Sequence, residues 1–180
     1  MNKLFSIDFY NTYMSTYKEL YNQEEIERIN KSKETNDKLE EFFSKKREDW
    51  NSNIEPLFSI MRQNFTLENS SKIMDVQANA LSFRQKLNDE ISYFLNRRSR
   101  EQVKLKKITQ DKFLFYATGF GLKTNTSEKT LLIEAHIAES HRTLEIIENH
   151  IEYLRACNKT IESLQFSIKN TIELMNYLGK

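Results

Sequence analysis

Apolar residues recur every three or four positions along this chain, most clearly between residues 133 and 175. Stepping by four and three from Ile133 meets thirteen positions, and ten of them are apolar. A seven-residue repeat kept for six heptads predicts a helix of the left-handed coiled-coil type. The ten apolar positions, which we call the α-stripe, are the predicted oligomerisation residues: Ile133, Ile137, Leu144, Ile147, Ile151, Leu154, Ile161, Ile168, Ile172 and Met175.

Loop and cap signals divide the C-terminal two thirds of the chain into two long helices. Ser70 and Ser71 offer N-caps to a helix over 71–118, and glycines open a loop over 119–126. Thr126 or Ser127 can cap a second helix over 127–178. Because one short loop joins them, we predict an all-α fold built on a long antiparallel hairpin.

The N-terminal third has a different pattern. Aromatic residues at helical spacing predict a short amphipathic helix over 5–21, and a sparse apolar stripe predicts a solvated helix after it. Pro56, the only proline, disfavours helix at Glu55. We therefore divide the chain into a helical N-terminal arm (1–55) and a helical hairpin domain (56–180).

The second hairpin helix is too apolar for one partner alone. Five residues lie one position beyond the α-stripe and widen it: Ile146, Tyr153, Leu164, Leu174 and Leu178. An exposed stripe of this size predicts self-association into a helical ring or barrel. The alternative is that the aromatic arm folds back and covers the stripe within one chain.

Composition narrows the class of protein. With three Gly and one Pro in 180 residues, the chain lacks the turn formers of a sandwich, a barrel or a phosphate-binding α/β fold. The net charge of +1 indicates no partner by itself, and a single cysteine, Cys157, excludes an internal disulfide. No apolar run reaches about 18 residues, so we expect no membrane partner and a cytoplasmic location.

The charges are unevenly distributed along the first hairpin helix. Residues 96–112 hold seven Lys and Arg against two acidic residues, and aromatic residues follow immediately. Basic tracks that end in aromatic rings are typical of single-stranded nucleic-acid binding, because phosphates pair with cations and unstacked bases lie on rings. The alternative is a solvated charged face beside core aromatics. The candidate DNA-binding residues are Arg97, Arg98, Arg100, Lys104, Lys106, Lys107, Lys112, Phe115, Tyr116 and Lys123.

Catalytic signals are weak by comparison. His136, His141 and His150 do not share one helical face, and His150 with Cys157 lacks a third ligand or orienting group. The Gly119–Gly121 turn lacks the Lys-Ser/Thr ending of a phosphate loop. We therefore predict no catalytic residues, no metal site and no cofactor.

Several segments of the hairpin helices form a recognisable series. They are SKI at 71–73, QAN at 77–79, the basic run after Leu87, KFLFYATG at 112–119 and SLQFSIKNTIE at 163–173. In this order, over about residues 65–180, the series resembles the UvsY family of phage recombination mediators. The arm over 1–55 has no counterpart in this resemblance.

The resemblance implies a non-enzymatic homo-oligomer, a hexameric or heptameric ring, that binds single-stranded DNA. Such a ring helps to load a RecA-like recombinase onto strands coated by single-strand-binding protein. It also implies DNA contacts just before residue 113, at Lys106, Lys107 and Lys112, and assembly through the C-terminal helix. The alternative function is a coiled-coil structural or adaptor protein that does not bind DNA.

Overall fold

The computed structural model describes residues 23–61, 70–119 and 125–178, and all of these except Asn125 are helical. The helices are α1 (Gln23–Met61), α2 (Ser70–Leu114) and α3 (Thr126–Leu178), and a π-helical turn (Phe115–Gly119) continues α2. The predicted all-α class is confirmed. The helix predicted over 5–21 and most of the loop predicted over 119–126 lie outside the described residues. Within the described ranges, no helix is both long and apolar enough to cross a membrane.

α3 begins at a reciprocal capping box. The Asn125 side-chain oxygen accepts the backbone N–H of Glu128 at 2.8 Å, and the Glu128 carboxylate accepts the backbone N–H of Asn125 at 3.1 Å. These bonds satisfy two N–H groups that the first turn leaves without intrahelical partners. The N-cap predicted at Thr126 or Ser127 is therefore one or two residues too late, since only Asn125 has Glu128 three positions ahead.

α1 passes through Pro56 and ends at Met61. Proline removes one N–H group from the helical ladder, but Ile54 and Leu57 beside it are only 7% and 4% exposed. Burying both side chains requires the helix to continue, and this tertiary gain outweighs the local preference at Glu55. The helix end predicted there is wrong. The division into domains at 1–55 and 56–180 stays a prediction.

The described residues form two compact units, each with one segment from every helix. The first unit contains residues 23–39, 100–119 and 125–145, and the second contains residues 40–61, 70–99 and 146–178. The packing inside each unit differs in chemistry, and the difference lies mainly in what α1 contributes.

In the first unit, the apolar core comes from α2, from the π-helical turn that continues it, and from α3. Tyr116, Leu132, Ile133 and Ile137 form a buried cluster, and half-buried residues of α2 pack against it. α1 contributes the buried Leu39 to this unit and also a buried polar side chain. Asn36 is 2% exposed and donates to the backbone oxygen and the carboxylate of Glu139, both at 2.9 Å.

In the second unit, α1 contributes large apolar side chains. The Phe43 ring is 1% exposed and stacks on His150 with ring centroids 4.0 Å apart. Trp50 is also buried and donates its indole N–H to Glu90 at 2.9 Å. This part of the arm is therefore a core helix and not the sparsely anchored, solvated helix predicted from the sequence.

The contacts between α2 and α3 in the second unit run in antiparallel order. As residue numbers rise along α2, those of the partners on α3 fall. The pairs are Arg84 with Glu162, Asn88 with Asn158, and Arg98 with Glu148. Within this unit, the two helices pair in the direction predicted for a hairpin.

Candidate nucleic-acid interface

The C-terminal part of α2 in the first unit presents a group of exposed cations, which we call the basic surface. It consists of Arg100, Lys104, Lys106 and Lys107, and all four side chains are exposed. Arg100, Lys104 and Lys107 are spaced by four and three, so they lie along one side of the helix. A ridge of this kind places charges at intervals that suit successive phosphates.

Most of these cations keep their charge available. Lys104 pairs with Glu101 at 2.8 Å, but its side chain is 66% exposed, and such surface pairs contribute little. Arg100, Lys106 and Lys107 form no ion pair with any residue in the described ranges. The basic surface therefore carries a local excess of positive charge.

Two other predicted cations lie in the second unit. Arg97 and Arg98 are half-buried on α2. The guanidinium of Arg98 lies 3.7 Å from the carboxylate of Glu148 on α3. Arg98 is therefore partly neutralised within the chain. Lys123, also predicted, lies outside the described residues.

Lys112 is held by α1. Its side chain is 21% exposed and forms an ion pair with Glu25 in the first turns of α1. The same ammonium lies 5.6 Å from the centre of the Phe115 ring, within the range of a cation–π contact. Lys112, which the sequence predicts as a phosphate contact, is therefore paired with Glu25 within the chain.

Exposed apolar side chains follow the basic surface at the end of α2. Phe113 is 62% exposed, Leu114 is 59% exposed and Phe115, the first residue of the π-helical turn, is 47% exposed. Rings exposed to this degree beside lysines can receive unstacked bases. Phe115 therefore remains a candidate for stacking with a base, and Phe113 becomes a second candidate.

Tyr116 is not available for stacking. The residue is 3% exposed and belongs to the core cluster of the first unit, and its hydroxyl lies 2.6 Å from Nε2 of His136. Its predicted role as a base-stacking residue is wrong, because the side chain lies on the inner side of the helix. The spacing of Ile108, Lys112 and Tyr116 by four places all three on that side.

The Tyr116–His136 pair sits in an environment that disfavours charge on either ring. Burial, with Lys112 next in importance, lowers the pKa of His136 to about 4. Burial and the nearby Glu25 carboxylate raise the pKa of Tyr116 to about 12. Both groups are therefore neutral at pH 7, and a neutral imidazole can accept the hydrogen bond from the phenol.

A small cavity lined by polar and apolar side chains lies next to this pair inside the first unit. It has a volume of about 90 Å³, and its polar lining includes Glu25, Arg28, Ser32, Lys112, His136 and Glu139. A cavity of this size and polarity can hold a few water molecules. Its lining comes from the start of α1, from α2 and from α3.

The α-stripe is largely buried inside the chain. Eight of its ten residues are buried, and Ile172 and Met175 near the end of α3 are half-buried. In the second unit, α1 packs on α3 through the Phe43–His150 stack, and the Tyr153 hydroxyl donates to the backbone oxygen of Arg47 at 3.0 Å. The described part of the arm thus contacts α3 within one chain, while the aromatic segment over 5–21 lies outside the described residues. A role of the stripe in self-association stays a prediction.

The described residues hold no group of three or more His, Cys, Asp or Glu side chains that could bind a metal ion. The three histidines have separate environments. His136 contacts the Tyr116 hydroxyl, and His141 is exposed. His150 packs against the rings of Phe43 and Phe94.

Comparison with protein-family models, with curated proteins and with solved structures finds no match to this chain.

Sequence reasoning missed two features of this surface. The first is the exposure of Phe113 and Leu114, which helical spacing from Ile108 could have indicated because both positions fall off the inner side of α2. The second is the carboxylate of Glu25. No local signal could have placed it beside Lys112, because the two residues are 87 positions apart in the chain.

Proposed function

We propose that this protein binds single-stranded DNA through the basic surface and the exposed rings of Phe113 and Phe115. In doing so it acts as a recombination mediator that promotes loading of a RecA-like recombinase onto strands coated by single-strand-binding protein. The second half of this proposal rests on the resemblance to the UvsY family.

One observation carries the DNA-binding proposal. Three exposed cations, Arg100, Lys106 and Lys107, have no acidic partner in the described ranges. Lys106 and Lys107 lie about two helical turns from the two exposed phenylalanine rings, and Arg100 lies about two turns further back along α2. Cations attract the phosphate backbone, and rings stack with unpaired bases. A duplex hides its base faces, so this combination favours a single strand.

We also propose that the chain self-associates, as ring-forming mediators do. Most of the α-stripe is buried in one chain, so a further subunit would contact the end of α3. There, Ile172 and Met175 are half-buried, and Leu174 and Tyr177 are 58% and 79% exposed. Light scattering of wild type and of Leu174→Asp would test this contact.

Equilibrium binding of a fluorescent oligonucleotide across a salt series tests the DNA-binding proposal. The double variant Lys106→Gln/Lys107→Gln removes two cations from the basic surface, and Lys38→Gln/Lys45→Gln removes two exposed cations from α1 as a matched control. If both lysines contact phosphates, the slope of log affinity against log salt should fall by about 1.4 for the first variant only. Equal slopes in the two variants would remove the basic surface from the interface.

Ring substitutions separate stacking from core packing. Phe113→Ala should weaken binding by about 1–3 kcal/mol per stacked base and leave stability nearly unchanged, because the ring is exposed. Tyr116→Ala should do the reverse and destabilise the fold by about 3–5 kcal/mol, because it empties a core position. Unchanged binding by Phe113→Ala would argue against stacking at this ring.

The mediator role needs its own assay. The protein should shorten the lag in recombinase assembly on an oligonucleotide coated with single-strand-binding protein, and the Lys106→Gln/Lys107→Gln variant should not. DNA binding without any effect on assembly would leave a single-strand binder that is not a mediator.

A second candidate is a helical structural or adaptor protein without DNA binding. It is favoured by the internal pairing of three predicted cations, Arg98 with Glu148, Lys104 with Glu101 and Lys112 with Glu25. Absence of oligonucleotide binding at low salt by a folded wild-type chain would select this candidate.

A further inference from the structure

The start of α1 is attached to the first unit by polar contacts and by two half-buried isoleucines. The core cluster of Tyr116, Leu132, Ile133 and Ile137 contains no residue of α1. Before the buried Asn36, the isoleucines of α1 are the half-buried Ile26 and Ile29, and this segment lines the cavity described above. This core cluster therefore contains no side chain from residues 23–32. Asn36, one turn after Ser32, holds α1 in place through its hydrogen bonds to Glu139.

Glu25 lies in this weakly attached segment and holds Lys112. The pair is partly buried, with side chains 21% exposed for Lys112 and 29% exposed for Glu25. A carboxylate and a phosphate diester are both singly charged oxygen anions, so a lysine that accepts one in this place can accept the other. Lys112 directly precedes the exposed Phe113 at the end of the basic track.

We propose that Glu25 is an internal competitor for the nucleic-acid phosphate at Lys112, so that DNA binding and docking of the start of α1 exclude each other. This inference rests on the proposed DNA binding. The moving part is residues 23–32, and Asn36 is the anchor at which release stops. Helix ends and segments with few apolar contacts open at the lowest cost in a folded protein.

Under competition of this kind, the apparent affinity equals the intrinsic affinity multiplied by the fraction of chains in which the segment is undocked. The structure also explains why the cost of release is small. Ser32, Arg28 and Glu25 already face a cavity that can hold water, so their polar groups exchange protein contacts for water when the segment leaves. Lys112 then becomes a fifth cation for the strand.

The test uses the full chain and two variants that remove one negative charge each from α1. Glu25→Gln removes the competitor, and Glu27→Gln, at an exposed position two residues away, is the matched control for net charge. With a fluorescent thymidine oligonucleotide at low salt, Glu25→Gln should bind with a Kd about three- to fivefold lower than that of Glu27→Gln. Equal affinities of the two variants would overturn the inference and leave the proposed DNA binding intact.

Hydrogen exchange gives a second readout that does not depend on the affinity difference. Without DNA, Glu25→Gln should exchange faster than Glu27→Gln at the amides of residues 23–32, and residues 40–61 should be equal in both. Addition of the oligonucleotide to wild type should speed exchange at 23–32. Unchanged or slower exchange at 23–32 on DNA addition would refute release, even if Glu25→Gln bound more tightly.

The two proposals fail in different ways. Absence of binding by wild type and both variants overturns the proposed function and this inference with it. Binding by all three proteins with identical Kd and identical exchange overturns only the inference.

Discussion

Lowering the pH from 7.5 to 5 should destabilise the protein through His136. This side chain is half-buried against the Tyr116 hydroxyl, and its pKa of about 4 lies below the ordinary value of 6.5. Between these two values, the unfolded chain binds a proton at His136 and the folded chain does not. Stability therefore falls as the pH falls below about 6.5 and stops falling through this group near pH 4.

The size of the effect follows from the shift. Each pKa unit corresponds to about 1.4 kcal/mol, so the full difference amounts to about 3 kcal/mol, and about 2 kcal/mol is lost by pH 5. His150 contributes with the same sign, because burial also lowers its pKa against the opposing effect of Glu90, while Arg47 and Lys46 act in the same direction as burial. A variant is needed to separate the two histidines.

Urea unfolding of wild type and His136→Gln at pH 7.5 and pH 5 makes that separation. Wild type should lose about 2 kcal/mol more than the variant between these pH values, since contributions from all other groups cancel. His141→Gln, at an exposed histidine, should keep the full pH dependence of wild type. An identical loss in wild type and His136→Gln, or an NMR titration of His136 near 6.5, would refute the reasoning.

Three further substitutions test single contacts through urea unfolding, followed by the fluorescence of Trp50, the only tryptophan. Asn36→Ala removes a buried side chain that donates to Glu139 and should lower the free energy of unfolding by about 1–3 kcal/mol. The control Asn30→Ala, at an exposed position, should lower it by almost nothing. Equal losses in the two variants would show that water replaces the Asn36 bonds. Glu90→Ala should cost about 1–3 kcal/mol and change the Trp50 emission, because the indole N–H loses its acceptor; an unchanged spectrum would contradict that bond. Asn125→Ala should cost about 0.5–2 kcal/mol, and no loss would mean that the capping box contributes nothing in solution.

Periodicity predicted the three long helices and the inner positions of α3 because these depend on neighbours three and four residues away. Ile147, Ile151 and Leu154 are buried as their spacing requires. Periodicity could not predict which element covers these buried positions, because α1 and a second subunit could both supply apolar side chains. The contact of Phe43 with His150 joins residues more than a hundred positions apart, and no local pattern specifies it.

The sequence predicted the positive charge of the candidate site but not which of its aromatic side chains are exposed. The excess of Lys and Arg over residues 96–112 is a property of composition, and the structure leaves Arg100, Lys106 and Lys107 exposed. Adjacent rings in the same segment took opposite positions: Phe115 is half exposed and Tyr116 is in the core. A cluster of aromatics does not show which ring packs inward, because that depends on the inner line of the helix and on a partner such as His136.

The Tyr116–His136 contact also has a consequence for the order of folding. Its residues are 20 positions apart, whereas Arg84 and Gln165 are 81 apart and Asn36 and Glu139 are 103 apart. Closing the short loop costs about 1 kcal/mol less in chain entropy than closing either long one. Folding should therefore begin where α2 turns towards α3, and α1 should join last. Ile133→Val should then mainly slow folding, while Leu57→Ala should mainly speed unfolding.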